Sequence, residues 1–139
     1  MQKKKRILIA DDDAHMRRIL SLWLTRHGYE VDMTCDGRSA LERFRAAPPD
    51  LLLSDVNMPG MNGIELLREV EATEIHIRGA ILLTNRCDQI ELKELVAGPN
   101  VYVMPKPFSP RKLLELVDQI LTSQEVEPPV PTTMGLESR

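Results

Sequence analysis

The chain has 139 residues, about one domain's worth. With 42% apolar and 28% charged residues it has ordinary globular composition, and a net charge of −3 gives no global field to draw nucleic acid. No apolar run approaches the roughly 20 residues of a membrane helix. The basic start Met1-Gln2-Lys3-Lys4-Lys5-Arg6 leads into only Ile7-Leu8-Ile9-Ala10, too short an apolar stretch for a secretory signal.

In chain order, Ile7-Leu8-Ile9-Ala10 is the first expected strand. Met16, Ile19, Leu20, Trp23 and Leu24 then repeat at helical spacing, and His27-Gly28 closes that helix with a cation and a glycine. Tyr29-Glu30-Val31-Asp32-Met33-Thr34 alternates, which suits a strand near a sheet edge. Leu41 and Phe44 mark a short helix, Leu51-Leu52-Leu53 a strand, Ile64 and Leu67 a helix, and Ala80-Ile81-Leu82-Leu83 a strand. Leu92, Leu95 and Val96 mark a fourth helix, Val101-Tyr102-Val103-Met104 a fifth strand, and Leu113, Leu116, Val117, Ile120 and Leu121 a fifth helix. Four of the five runs are continuously apolar, as in strands covered on both faces. Strict alternation implies one parallel, doubly wound α/β sheet of five strands with right-handed crossovers. The period stops near Gln124, and three prolines follow. The expected organisation is therefore a folded unit over 1–123 and a Pro-rich disordered tail or linker over 124–139.

Ligands of such sheets sit at the carboxyl ends of the strands. Asp11, Asp12 and Asp13 follow the first run, Asp55 the third, Thr84-Asn85 the fourth, and Lys106-Pro107-Phe108 the fifth. Clustered carboxylates repel and raise one another's pKa, and one lysine does not neutralise them. A hard divalent ion fits that deficit. Mg²⁺ takes one or two carboxylates and leaves positions for phosphate oxygens. With Lys106 and the Thr84 hydroxyl it would bind a phosphoryl group, and Asp55 is the candidate nucleophile for an aspartyl phosphate.

These residues resemble the receiver domain of two-component response regulators. The resemblance covers about residues 4–122. It is carried by Ile7-Leu8-Ile9-Ala10-Asp11-Asp12-Asp13, Asp55-Val56-Asn57-Met58-Pro59-Gly60-Met61-Asn62-Gly63, Leu83-Thr84 and Lys106-Pro107-Phe108. It implies a flavodoxin-like sheet of order 2-1-3-4-5 with five helices, the fold in which ligands sit where strand order reverses. By the same resemblance Asp55 is the phosphoacceptor and Asp12 the direct Mg²⁺ ligand. Asp11 holds metal-bound water, and Asn57 supplies a backbone carbonyl to the metal. Thr84 and Lys106 engage the phosphoryl oxygens, and the Lys106-Pro107 peptide is cis.

The implied partners are a sensor histidine kinase or phosphotransfer protein, and a downstream protein target or an output domain. A homodimer through the fourth helix, fifth strand and fifth helix is a further expectation. Neither nucleic acid nor membrane is expected to bind this domain directly. The implied chemistry is self-phosphorylation and self-dephosphorylation, not turnover.

Three departures stand out. Val103 occupies the position three before the lysine where the family usually has an aromatic switch, and Tyr102 is one residue away, so either the strand has slipped or the switch is aliphatic. Asn85 stands where a small residue is usual, and Pro105 removes a ladder donor. Two rival functions follow: a phosphorylation-independent interaction module, which Val103 favours, and a Mg²⁺-dependent phosphohydrolase. Asn57 argues against the second, since it cannot be the general acid that such enzymes carry two residues after the nucleophile.

Elsewhere the plainer readings hold. Asp13 caps the first helix, and Gly63 serves a turn of positive φ. His15, His27 and His76 have no ligand partners, and Lys3 to Arg6 are solvated. Trp23 is core. Cys35 and Cys87 form no CxxC pair and are small buried hydrophobes, which makes a reduced, cytoplasmic setting the expectation.

Overall fold

The structure, a computed structural model, describes residues 3–85 and 100–126. Five parallel strands, β1 (Arg6–Ala10), β2 (Glu30–Thr34), β3 (Leu51–Asp55), β4 (Gly79–Asn85) and β5 (Val101–Lys106), form one sheet in the order β2-β1-β3-β4-β5. Four helices occur among the described residues: α1 (Ala14–Arg26), α2 (Gly37–Ala46), α3 (Gly63–Ala72) and α4 (Pro110–Val126). The doubly wound parallel sheet and its strand order are as expected. The helix expected around Leu92, Leu95 and Val96 lies outside the described residues.

The continuous apolar runs conceal a period of two. Ile7, Ile9, Leu51, Leu53, Ile81 and Leu83 pack with Leu20, Leu24, Leu113 and Val117, forming the α1/α4 layer. Their neighbours Leu8, Ala10, Leu52, Ala80 and Leu82 face Ala40, Leu41, Phe44, Leu66 and Val70, forming the α2/α3 layer. Both sides of the sheet are thus dry, and each fully buried Leu or Ile contributes about 1.5–3 kcal/mol relative to exposure. The half-buried, alternating β2 is an edge strand, as its pattern implied. β5 is the other edge, which is where Pro105 loses least by having no N–H.

Local chemistry sets the element boundaries. Asp13 is the N-cap of α1, its carboxylate accepting from the His15 and Met16 amides, and Asp36 caps α2 through the Ser39 amide. Asn62 and Glu65 form a reciprocal capping box at the start of α3. Arg6 is no solvated lead-in. It opens β1, and its guanidinium donates to the carbonyls of Ala47 and Pro48 while facing Asp32.

Gly63 corrects its expected role. The left-handed residue of this connection is Gly60, at φ +76°. Gly63 is the first residue of α3, and a Cβ there would lie 2.9 Å from Val56 Cα and closer still to the Asp55 carbonyl oxygen. It is small because α3 starts against the backbone that carries Asp55. Both obstacles are backbone atoms and cannot swing aside. Gly63→Ala is therefore expected to destabilise the fold by about 1–3 kcal/mol, the usual cost of overpacking, read as a lowered urea midpoint at unchanged slope.

Candidate functional site

The polar ends of β1, β3, β4 and β5 converge at one edge. Apolar patterning ends the strands too early: Asp55, Thr84 and Lys106 are not residues that follow strands but belong to β3, β4 and β5. Their positions are consequently set by the ladder. β3 pairs Asp55 with Leu83, and β4 pairs Thr84 with Pro105 and Asn85 with Lys106.

The backbone around Asp55 is held closely. The Ser54 hydroxyl donates to the Asp55 carbonyl at 2.9 Å, the Val56 amide to Leu83 at 2.9 Å, and the Gly63 amide to the Val56 carbonyl at 2.9 Å. The Asp55 side chain is buried, and Lys106 Nζ reaches its Oδ1 at 2.9 Å. Ligand oxygens of Asp11, Asp12 and Asp55 all lie within 4.8 Å of one another. Asp12 is exposed at the rim, whereas Asp11 is only 1% exposed. Thr84 is fully buried, its hydroxyl donating to the neighbouring Asn85 carbonyl at 3.3 Å. Asn57 is exposed in the turn after β3. The Lys106-Pro107 peptide is cis, as expected.

Asp11 shows what the arrangement lacks. Its Oδ1 accepts the Asp13 amide at 2.9 Å, but its Oδ2 is buried with no hydrogen-bond partner among the described residues. Burial above all pushes its pKa up, and the Asp55 and Asp12 charges add to that, against the Asp13 amide and Lys106. With all three carboxylates ionised, one ammonium leaves an excess of two negative charges. An orphaned buried carboxylate oxygen beside two more carboxylates fits a hard divalent cation with oxygen ligands. Among the described residues no other group of acidic, His or Cys side chains is arranged to hold an ion.

The β5 register shows no slip. Tyr102 pairs with Ile81 and packs on the α1/α4 layer, while Val103 pairs with Leu82 and packs on the α2/α3 layer. An aliphatic residue therefore stands where the aromatic was expected. Other expectations are corrected. Cys35 is exposed, because it sits in the turn after edge strand β2 (Cys87 is outside the described residues). His27 does have a carboxylate partner, Asp118 of α4, at 2.9 Å, and Tyr29 donates to the same carboxylate. Trp23 is half-buried and meets Phe108 edge-on, ring centroids 6.5 Å apart. Sequence patterning also missed Arg17, whose Nη1 donates to the Asp11 carbonyl at 2.7 Å.

A sheet of this order with three carboxylates and a lysine at its carboxyl edge defines a doubly wound α/β domain with a charged site at that edge, and comparison with known proteins places it. The family model described as "Response regulator receiver domain" matches residues 7–118. The chain is 35% identical over 134 residues to the DNA-binding response regulator MtrA of Mycolicibacterium smegmatis, covering 95% of this chain and 57% of that protein. It is 31% identical to the chemotaxis protein CheY of Thermotoga maritima, covering 84% of this chain and 97% of that one. Among solved structures, a CheY-like receiver domain protein from Methanospirillum hungatei matches with a TM-score of 0.78 and 32% identity, over 88% of this chain and 98% of the other. Vibrio cholerae CheY4 matches with a TM-score of 0.72 and 30% identity, over 85% and 99%. The chain belongs to the response regulator receiver family and is a two-component signalling domain. It spans little more than half the length of its MtrA-type relatives.

The orphaned Asp11 carboxylate yields a stability prediction. A carboxyl whose folded pKa is raised stabilises the fold below its ordinary pKa of 3.8 and loses that contribution as pH rises through the folded value. In Mg²⁺-free buffer near neutrality Asp11→Asn is therefore expected to be more stable than the wild type, by about 1 kcal/mol or more, and the difference should vanish in acid. Urea unfolding of both proteins in EDTA at the two pH values checks this.

Proposed function

We propose that the domain accepts a phosphoryl group on Asp55 from a sensor histidine kinase or phosphotransfer protein. The observation that carries this reading is the buried Asp55 carboxylate, bonded to Lys106 on one side and grouped with Asp11 and Asp12 on the other. Asp11, Asp12 and Asp55, with the Asn57 carbonyl, would hold Mg²⁺. When bound, the ion would offset the carboxylate charge and draw charge from the phosphoryl oxygens.

In this reading an Asp55 oxygen attacks phosphorus, forming a P–O bond as the donor's P–N bond breaks. The departing imidazole takes the electron pair. Lys106 then pairs with a phosphoryl oxygen in place of the Asp55 carboxylate, and the Thr84 hydroxyl turns from the Asn85 carbonyl to a second oxygen. Moving a two-state switch from mostly off to mostly on takes about 5.5 kcal/mol. Contacts to charged oxygens, worth about 1.5–3 kcal/mol each, let Thr84 and Lys106 supply most of it. The output is conformational and not turnover.

The domain would occupy residues 1–123, with 124–139 a Pro-rich tail or linker to a target or output domain. The DNA-binding MtrA relatives support an output domain, and the shorter CheY supports a free-standing receiver acting on another protein. No helix among the described residues is long and apolar enough to cross a membrane, and we take the cytoplasm as the setting. Val103 keeps a second reading open, that of an interaction module that works without phosphorylation.

Incubation with acetyl phosphate and Mg²⁺ is expected to add the mass of one phosphoryl group to the intact wild type and none to Asp55→Asn, with Lys106→Ala slowed or blocked. No gain in the wild type would favour the phosphorylation-independent module. Sustained release of phosphate from small phosphomonoesters would favour a phosphohydrolase.

A further inference from the structure

The turn between β1 and α1 contains a bond that the proposed chemistry does not use. Arg17, half-buried in the second turn of α1, donates from Nη1 to the Asp11 carbonyl at 2.7 Å. That carbonyl belongs to the peptide unit joining Asp11 to Asp12. The rest of Asp11 is already restrained, its amide donating to Thr34 at 3.2 Å and its Oδ1 accepting from Asp13. Arg17 fixes the remaining freedom, the tilt of the plane from which Asp12 projects. The Asp12 side chain itself is exposed and makes no hydrogen bond among the described residues. Its direction is therefore set by the backbone behind it.

We infer that Arg17 is a positioning residue for the divalent cation, holding the Asp11–Asp12 peptide so that both carboxylates face Asp55 before the ion arrives. The inference rests on the proposed Mg²⁺ reading of that group. Groups that orient metal ligands from behind typically matter by 10–100-fold in affinity. Arg17 is anchored to do so, because its own amide donates to the Asp13 carbonyl at 2.9 Å, tying the guanidinium to the same turn it braces.

Charge alone predicts the opposite sign. A guanidinium bonded to the Asp11 carbonyl adds positive charge to this turn, so removing it should tighten the binding of a dication if electrostatics dominate. A hydrogen-bonded brace predicts that removing it weakens binding. The direction of the change therefore separates the two causes.

The test is calorimetric titration of Mg²⁺ into the full chain as wild type, Arg17→Met and Arg17→Lys, with thermal unfolding in EDTA as a separate measure of the fold. Arg17→Met is expected to bind Mg²⁺ roughly tenfold more weakly at the low end of that range. Arg17→Lys, whose ammonium keeps one donor for the Asp11 carbonyl, should recover most of the affinity. Unchanged or tighter binding by Arg17→Met overturns the inference in favour of plain charge. A loss that follows a fall in melting temperature in EDTA, and that lysine does not restore, overturns it in favour of a purely structural role. A wild type that binds no Mg²⁺ removes the metal reading and this inference with it, whereas the other two adverse results leave the metal reading standing.

Discussion

Three carboxylates drawn together against a single ammonium are the constraint around which this edge of the protein is built. Left to themselves they would separate, since like charges a few ångströms apart cost several kcal/mol outside water. They are kept together by backbone that cannot give way. β1 and β3 are adjacent in the sheet, Asp55 ends β3, and Asp11 directly follows β1. Gly63 lets α3 close against the Asp55 carbonyl, and Arg17 closes the β1–α1 turn from the other side. The strain is stored as unmet charge, seen most plainly in the Oδ2 of Asp11, which has no hydrogen-bond partner among the described residues. Such a centre is poor for stability and well suited to receiving something that carries positive charge and then something that carries negative charge.

Much of this was readable from residue order. The five apolar runs, their alternation with helical stripes and the polar residues after each run sufficed for a parallel sheet with its site at one edge. Apolarity could not show where the strands end, because Asp55, Thr84 and Lys106 continue the ladder although they are polar. Hydrogen-bonding backbone is indifferent to side-chain polarity, so a functional strand end looks like a loop in a hydropathy pattern. Gly63 was misread for a related reason. A glycine required by φ and one required by close approach are the same letter, and only the position of the Asp55 carbonyl distinguishes them.

Contacts between distant elements were the least legible. Nothing in local spacing connects His27 and Tyr29 to Asp118, roughly two-thirds of the chain away, or Trp23 to Phe108. These pairings exist because α1 and α4 cover the same face of the sheet, so they follow from topology after the fact. The same limit hid Arg17. It sits in an ordinary amphipathic helix, and its target is a carbonyl, which leaves no mark on a sequence.

The α1/α4 layer links these observations mechanically. Lys106 shares strand parity with Tyr102 and Met104, both of which pack on that layer, while Val101 and Val103 turn their aliphatic side chains to the α2/α3 layer. Two residues beyond Lys106, Phe108 meets Trp23 of α1, and just past the end of α1 the His27 and Tyr29 side chains bond to Asp118 of α4. Among the described residues, Tyr102, Met104, Phe108 and Trp23 thus make the side of β5 toward α1 and α4 the bulkier one, while Val101 and Val103 fill the other with small aliphatic groups.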